Sequence, residues 1–485
     1  MSETPGRTGL ILEEPLLWEK SKKGRCGFSL PKRDVQEYKV PEGLAGDGPD
    51  FPDLGELDVV RHYTRLSTWN FGVDTGMYPL GSCTMKYNPK LNEVLAGVPG
   101  FATAHPLLPE TLAQGALKLM SDLEKQLAAI TGLDAVTLQP AAGAHGELTG
   151  MMLIHAYQKS KGEIRTKLLV PDTAHGTNPA SATLCGYKSI PVPSNEHGIL
   201  SAEAVEELMD EQTAGIMVTN PNTLGLFEEN IKKIAEIVHA KGGQVYCDGA
   251  NMNAIMGIVH MGEIGVDVLH LNLHKTFSTP HGGGGPGSGP VCVKEHLKPF
   301  LPVPRIEESK DGYCLQEDLP HSIGKIHGFY GNFGVMLKAY SYILSMGAEN
   351  LKKVSQYAVL NANYIKESLK DTLHLAYDRP CMHECVFSDK YQQDFKVATI
   401  DMAKQLIDKG FHPPTIYFPL VVHGALMCEP TETESKETID KFIEAFKNVA
   451  EEAKTDSEKL HAAPVNTKVR RLDEAGAARN PCLTG

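Results

Sequence analysis

Residues 266–290, VDVLHLNLHKTFSTPHGGGGPGSGP, decide the fold. The stretch opens as a short apolar strand, sets one lysine, Lys275, just past it, and enters a loop too rich in glycine to be helix or strand. A lysine at a strand end, among apolar neighbours and beside flexible backbone, can condense with an aldehyde to form an imine once its amine is uncharged. The plain alternative is a solvated surface lysine, so the neighbouring strands must discriminate between the two.

Upstream, the apolar run 245–247 ends in Asp248 and is followed by Gly249, Ala250 and Asn251. A carboxylate there is either a helix cap or the partner of a ring nitrogen. In pyridoxal phosphate enzymes an acid so placed keeps the pyridine nitrogen protonated and the ring able to accept electrons. The segment PAAGAHG, residues 140–146, follows a strand and opens a helix, so the exposed backbone N–H groups of its small residues and the helix dipole suit a phosphate. In PDTAHGTN, residues 171–178, His175 can lie flat on an aromatic ring or simply pack. In TNPNTLG, residues 219–225, Thr219 ends a strand, and Asn222 is either a donor to the phenolic oxygen of such a cofactor or ordinary turn chemistry.

Around these motifs, short apolar runs alternate with helical periodicity. Strands are predicted at 135–138, 167–170, 215–219, 244–247 and 266–271, with helices at 110–130, 143–160, 201–210 and 228–241. That alternation predicts a mostly parallel sheet covered on both faces, with ligands beyond the carboxyl ends of its strands. Helices at 334–345, 350–372, 399–409 and 434–452 and strands at 385–388 and 420–428 predict a smaller C-terminal α/β domain. The expected division is a Pro- and Gly-rich arm for subunit contacts (1–109), a large domain (110–330), a small domain (331–453) and a polar tail (454–485).

Bulk properties narrow the function. The chain has 485 residues, 41% of them apolar and 22% charged, with a net charge of −13. This is globular usage, and the acidic balance argues against a nucleic-acid surface. No run approaches the roughly 18 consecutive apolar residues of a membrane span. The start, MSETPGRTGLILEEPLLWEK, lacks signal-peptide features, and ten cysteines without framework spacing fit a reducing compartment, so a cytoplasmic protein with no membrane partner is expected.

Weaker signals are set aside. The glycine run 282–289 lacks the Gly-Lys-Ser/Thr ending of a nucleotide loop. Cys381, His383 and Cys385 have no second pair at matching spacing, and His270 and His274 fall on a strand pattern, so no metal is expected. Cys83 is a packed residue or a redox-sensitive thiol. Arg470 and Arg471 are tail charges or a carboxylate clamp.

Five segments carry a resemblance: YPLGSCTMKYNPK (78–90), LQPAAGAHGEL (138–148), DTAHGTNPASA (172–182), YCDGANMNA (246–254) and HLNLHKTFSTPHGGGGPG (270–287). With the tail VRRLDEAGAAR (469–479), they resemble the P-protein of the glycine cleavage system, glycine dehydrogenase (decarboxylating). A cofactor lysine near the middle of 485 residues, rather than in the second half of a chain twice as long, resembles the catalytic subunit, subunit 2, of the two-subunit form. The resemblance implies an α/β fold of the aspartate-aminotransferase type (fold type I) with pyridoxal 5'-phosphate on Lys275, Asp248 at the ring nitrogen and His175 stacked on the ring. Ala142, Gly143 and Ala144 would face the phosphate, assisted by Thr276 or the following glycines, with Thr219, Asn222, Ala250 and His274 completing the contacts. It further implies decarboxylation of glycine, transfer of the aminomethyl group to the lipoyl arm of the H-protein, and assembly with subunit 1 as an α2β2 heterotetramer. The alternatives are another decarboxylase or lyase of this fold, or a non-catalytic subunit, which would lack the lysine.

Overall fold

A computed structural model describes residues 14–280 and 287–483. The readings made on the first 13 residues and on the glycines 282–285 lie outside the described residues. Strands β1 (Ala135–Thr137), β2 (Lys167–Pro171), β3 (Lys188–Val192), β4 (Thr213–Thr219), β5 (Gln244–Gly249), β6 (Val268–Leu271) and β7 (Val291–Val293) form one sheet in the order β1-β7-β6-β5-β4-β2-β3. From β6 to β3 the pairings are parallel, whereas β7 runs antiparallel to both β6 and β1. Successive residues of β5 enter opposite cores: Val245 and Cys247 pack with Leu269 and Leu271, and Tyr246 packs with Val268 and Met217. This is the period-two alternation of a strand covered on both faces.

The covering helices follow from their apolar stripes. Ile231–Ala240 buries Ile231, Ile234, Ala235 and Val238, one face of a 3.6-residue repeat. Gly143–Ser160 is glycine-rich for a helix, and packing explains it: a Cβ on Gly150 would lie 2.5 Å from the Tyr246 ring, and one on Gly146 2.6 Å from the Gly289 carbonyl. The helix backbone therefore lies directly on the sheet, a close approach that outweighs the poor helix propensity of glycine.

A hairpin, β8 (Arg305–Ser309) and β9 (Gly312–Gln316), precedes a long helix, Phe333–Leu369, which is broken at Gly347 (φ 65°, ψ 167°). Met336, Tyr342 and Val354 serve the large-sheet core, while Ala362, Ile365 and Leu369 serve a second core. That second core lies under an antiparallel sheet of β10 (His374–Leu375), β11 (Cys385–Ser388), β13 (Ala425–Cys428) and β12 (Thr415–Ile416), in that order. The helix Lys436–Thr455, capped by the Ser435 side chain accepting from the Thr438 N–H, adds Phe442 and Phe446.

Where the structure differs from the sequence reading, short-range backbone features explain it. The strand predicted at 420–428 keeps only its last four residues, because Leu420 is 87% exposed and Gly424 turns the chain at φ 64°. β3 sits at a sheet edge with mixed burial, and β7 is three residues behind a Gly/Pro run, so neither shows a strand signal. Within the expected arm, Phe28, Leu30, Tyr38 and Leu44 are exposed, but Met77, Thr84 and Lys86 are buried. Leu80 bridges to Cys428 and Lys86 reaches Tyr342, so residues 77–86 thread between the two cores. Among the described residues no helix is long and apolar enough to cross a membrane.

Candidate active site

The strand register assembles the site. Thr219, Asp248 and His270 are direct partners across β4, β5 and β6, near the carboxyl ends of three adjacent parallel strands. Asp248 is buried and held by two hydrogen bonds, with an imidazole alongside. Its Oδ2 accepts from Asn178 Nδ2 (3.2 Å), its Oδ1 accepts from the Ala250 N–H (2.9 Å), and His270 Nε2 lies 3.5 Å from Oδ1. Burial holds the Tyr246 hydroxyl well above its usual range, and it lies in hydrogen-bond contact with His270 Nδ1 at 2.6 Å, on the far side of the ring from the Nε2 that faces Asp248. Burial also keeps His270 below its ordinary pKa.

Lys275 is half-buried in the turn after β6. The charges of both Lys275 and Asp248 act on Glu147 and on His270. Burial, then Lys275, depress His274 to about 4, and its Nδ1 accepts from the Ser288 N–H at 3.2 Å. The N-terminus of Gly143–Ser160 abuts the same turn: a Cβ on Gly143 would sit 2.6 Å from Asn272 Oδ1. Ala142 and Ala144 flank it on the exposed side. Asn332 Nδ2 ties this loop to the far end of the glycine run by donating to the Ala141 and Gly287 carbonyls.

His175 is exposed after β2, with its ring edge-on to Phe418 at 5.8 Å. Its Nδ1 lies 2.8 Å from Thr177 Oγ1, which lies 2.8 Å from Glu147 Oε1. Burial, then the charge of Asp248, raise Glu147 to about 8. Thr276 is buried and its hydroxyl accepts from the Met252 N–H.

One expected contact is corrected. Asn222 is buried with both amide hydrogens committed, to the Gly198 carbonyl and Glu228 Oε1 (2.8 Å each), while its Oδ1 accepts from Leu224 and Leu226 N–H. No hydrogen remains for a phenolic oxygen, and the turn-chemistry reading describes it. Two weaker readings also resolve. Burial raises the Cys83 thiol, the opposite of a reactive thiolate. Arg471 is spent on Asp401 Oδ1 (2.7 Å) and the Leu460 and Ala463 carbonyls, so it pins the tail rather than binding a carboxylate.

Sequence reasoning missed Glu147, Thr177 and Asn178, which lie inside motifs it had already quoted. It also missed a buried carboxylate pair with no local signal. Glu384, ahead of β11, accepts from the Ser82 N–H (2.6 Å); Glu429, after β13, accepts from the Thr84 N–H (2.9 Å), Thr84 Oγ1 (2.7 Å) and Asn251 Nδ2 (2.9 Å). Ser82 and Thr84 hold positive φ (66° and 50°), and these carboxylates clamp that strained turn. Burial, then Glu429, hold Glu384 protonated well above the carboxylate range. Lys275 is within electrostatic reach of both.

Buried polar atoms without a partner among the described residues gather at these strand ends: Thr219 Oγ1, Asn178 Oδ1, Asn272 Oδ1, His270 Nε2 and Ser288 Oγ. Unsatisfied groups so concentrated mark a ligand space. A helix N-terminus for an anion, a buried carboxylate for a ring nitrogen and a lysine for an aldehyde are a donor set that fits pyridoxal phosphate.

Residues 52–313 match the family model of the glycine cleavage system P-protein, and residues 354–470 match that of the glycine dehydrogenase C-terminal domain. The chain belongs to the glycine cleavage system P-protein family. Within it, a chain from Caldanaerobacter subterraneus subsp. tengcongensis, described as "Probable glycine dehydrogenase (decarboxylating) subunit 2", is 58% identical over 474 residues, covering 96% of this chain and 98% of that one. One from Bacillus cytotoxicus with the same description is 55% identical over 477 residues, 97% of each. The crystal structure of an inhibitor-bound glycine decarboxylase (P-protein) superposes with a TM-score of 0.72 at 21% identity, covering 84% of this chain and 93% of that one. This P-protein chain accordingly has the fold type I architecture expected from its sequence.

Proposed function

We propose that this chain is the catalytic subunit of a glycine dehydrogenase (decarboxylating): it binds pyridoxal phosphate, removes carbon dioxide from glycine and passes the aminomethyl group to the lipoyl arm of an H-protein. The observation that supports the reading is the register that sets Asp248 opposite His270 on the strand leading to Lys275, with the Gly143 helix N-terminus against Asn272. Family membership and relatives described as glycine dehydrogenase subunit 2 support it.

Lys275 would hold the aldehyde carbon through Nζ, Asp248 the ring nitrogen, and Ala142, Gly143 and Ala144 the phosphate; His175 would cover the ring face, with Thr219, Ala250, His274 and Thr276 around it. Bound there, the cofactor supplies a sink for the electron pair left when carbon dioxide departs. The chain's own part is electrostatic. Asp248 is fixed in orientation by Asn178 and Ala250, so that it would meet the ring nitrogen as a preset acceptor. His274, held neutral, places no second positive charge beside the amine of Lys275.

The name of the relatives, subunit 2, supports a partner subunit, and the exposed Phe28, Leu30, Tyr38 and Leu44 are apolar surface that such a subunit would cover in an α2β2 assembly. Unbridged thiols such as Cys83, Cys247 and Cys292 support a cytoplasmic setting. The test is exchange of labelled bicarbonate into glycine by the chain with lipoylated H-protein, with and without subunit 1. Exchange in the complete mixture, lost with Lys275→Ala along with the yellow colour of the bound cofactor, is expected. No exchange in the complete mixture would refute the assignment.

A further inference from the structure

Thr177 has one hydroxyl hydrogen and two neighbours that want it. Its Oγ1 lies 2.8 Å from His175 Nδ1 and 2.8 Å from Glu147 Oε1. One of those contacts must be supplied by a proton on the neighbour. Two observations decide which. The Thr177 backbone N–H points at His175 Nδ1 (3.3 Å), which is possible only if that nitrogen carries no hydrogen. Glu147 is 4% exposed, and its Oε2 has no hydrogen-bond partner among the described residues; an ionised carboxylate would leave a charged oxygen unsolvated there, whereas a protonated one leaves only a carbonyl.

We infer that Glu147 and Thr177 are positioning residues for His175: a protonated Glu147 donates to Thr177 Oγ1, Thr177 donates to His175 Nδ1, and the ring is thereby fixed with its hydrogen on Nε2. Around Glu147, burial and the charge of Asp248 on β5 raise it and outweigh the opposing Thr177 contact and Lys275, while His270 on β6, itself kept below its ordinary pKa by burial, lies beside it. The charge of Asp248 disfavours a second anion beside it. Loss of the Glu147 proton reverses the chain. Thr177 then donates to the carboxylate, and His175 must carry its hydrogen on Nδ1 to donate to Thr177. One carboxyl thus selects which nitrogen of His175 is a donor, and the reversal falls near pH 8, where Glu147 titrates.

The consequence for the ring face rests on the function proposed above, but the tautomer does not, so the two fail separately. The test is the 15N spectrum of the histidines in the full chain, with and without pyridoxal phosphate, the His175 signals being assigned by their loss in His175→Asn. At pH 7, Nδ1 should be bare and Nε2 protonated, and the pattern should invert as pH is raised through about 8. In Glu147→Gln, whose amide can still donate to Thr177, the pH 7 pattern should persist at every pH. In Thr177→Val it should give way to a mixture. A protonated Nδ1 at pH 7 in the unaltered chain, the same inversion in Glu147→Gln, or an unchanged pattern in Thr177→Val would each overturn the inference. The pH series on the unaltered chain decides even if a variant does not fold, and a colourless protein with the expected tautomer would defeat only the cofactor assignment.

Discussion

The glutamate that orders His175 also leaves a thermodynamic trace. Burial and Asp248 raise Glu147 from 4.5 to about 8. The unfolded chain therefore releases this proton from about pH 4.5 upward, and the folded chain only near 8. Between those values the native state binds more protons than the unfolded one, so stability present at low pH is lost as pH rises. At about 1.36 kcal/mol per pKa unit, the loss from this carboxyl is about 1 kcal/mol at pH 5, about 3 at pH 7 and close to 5 above pH 8. Glu147→Gln removes the titration and keeps the shape. Urea unfolding followed by circular dichroism at pH 5, 6, 7 and 8, with m unchanged, should show the variant gaining on the parent by about 2 to 3 kcal/mol between pH 5 and 7. A difference that stays constant across the series would mean that Glu147 is ionised in the native state, and the reasoning about its burial would be wrong.

Other outcomes follow from single contacts. Gly143→Ala sets a Cβ 2.6 Å from Asn272 Oδ1, and fluorescence titration should show pyridoxal phosphate affinity falling tenfold or more, about 1.4 kcal/mol, with the circular dichroism spectrum kept; unchanged affinity would remove the helix N-terminus from the phosphate site. Glu429→Ala strips the acceptor from two Thr84 groups and from Asn251 and should cost about 3 kcal/mol in chemical denaturation, whereas Glu429→Gln, which can still accept, should cost less. Tyr246→Phe should lower stability by about 1 kcal/mol by stranding His270 Nδ1. Arg471→Ala should cost no more than about 1 kcal/mol yet expose residues 472–483 to limited proteolysis, since Arg471 ties that end of the chain to Asp401 and to the Leu460 and Ala463 carbonyls.

The parts of the site visible in the sequence were those in which an apolar run meets small, polar residues. Lys275, Asp248 and the Ala142–Ala144 turn each follow or end a strand; the parallel register sets Asp248 opposite His270 on the strand before Lys275, and antiparallel β7 joins β1, which leads to the turn, to that same strand. Asn222 misled because an asparagine in a turn looks alike whether it faces a ligand or, as here, folds back on its own backbone. Glu147 was hidden by its place in a helix, where a glutamate ordinarily faces water; only the glycines at 143, 146 and 150, which draw that helix onto the sheet, bury it. Glu384 and Glu429 meet only because β11 and β13 pair, with Cys385 opposite Cys428, and no local pattern encodes that pairing. β7 was illegible for a similar reason, since three residues flanked by β1 and β6 need no signal of their own to be held.

The threading of residues 77–86 between the cores has a mechanical consequence. At one end Leu80 and Glu429 fasten it to the small sheet, and at the other Lys86 Nζ is held by Asn253 (3.1 Å), Tyr342 (3.2 Å) and Glu432 (2.9 Å). Separating the two bodies along this line would break a buried ion pair, at about 3 to 5 kcal/mol. The segment therefore acts as a stitched seam, and any relative movement of the two cores is expected to pivot about it.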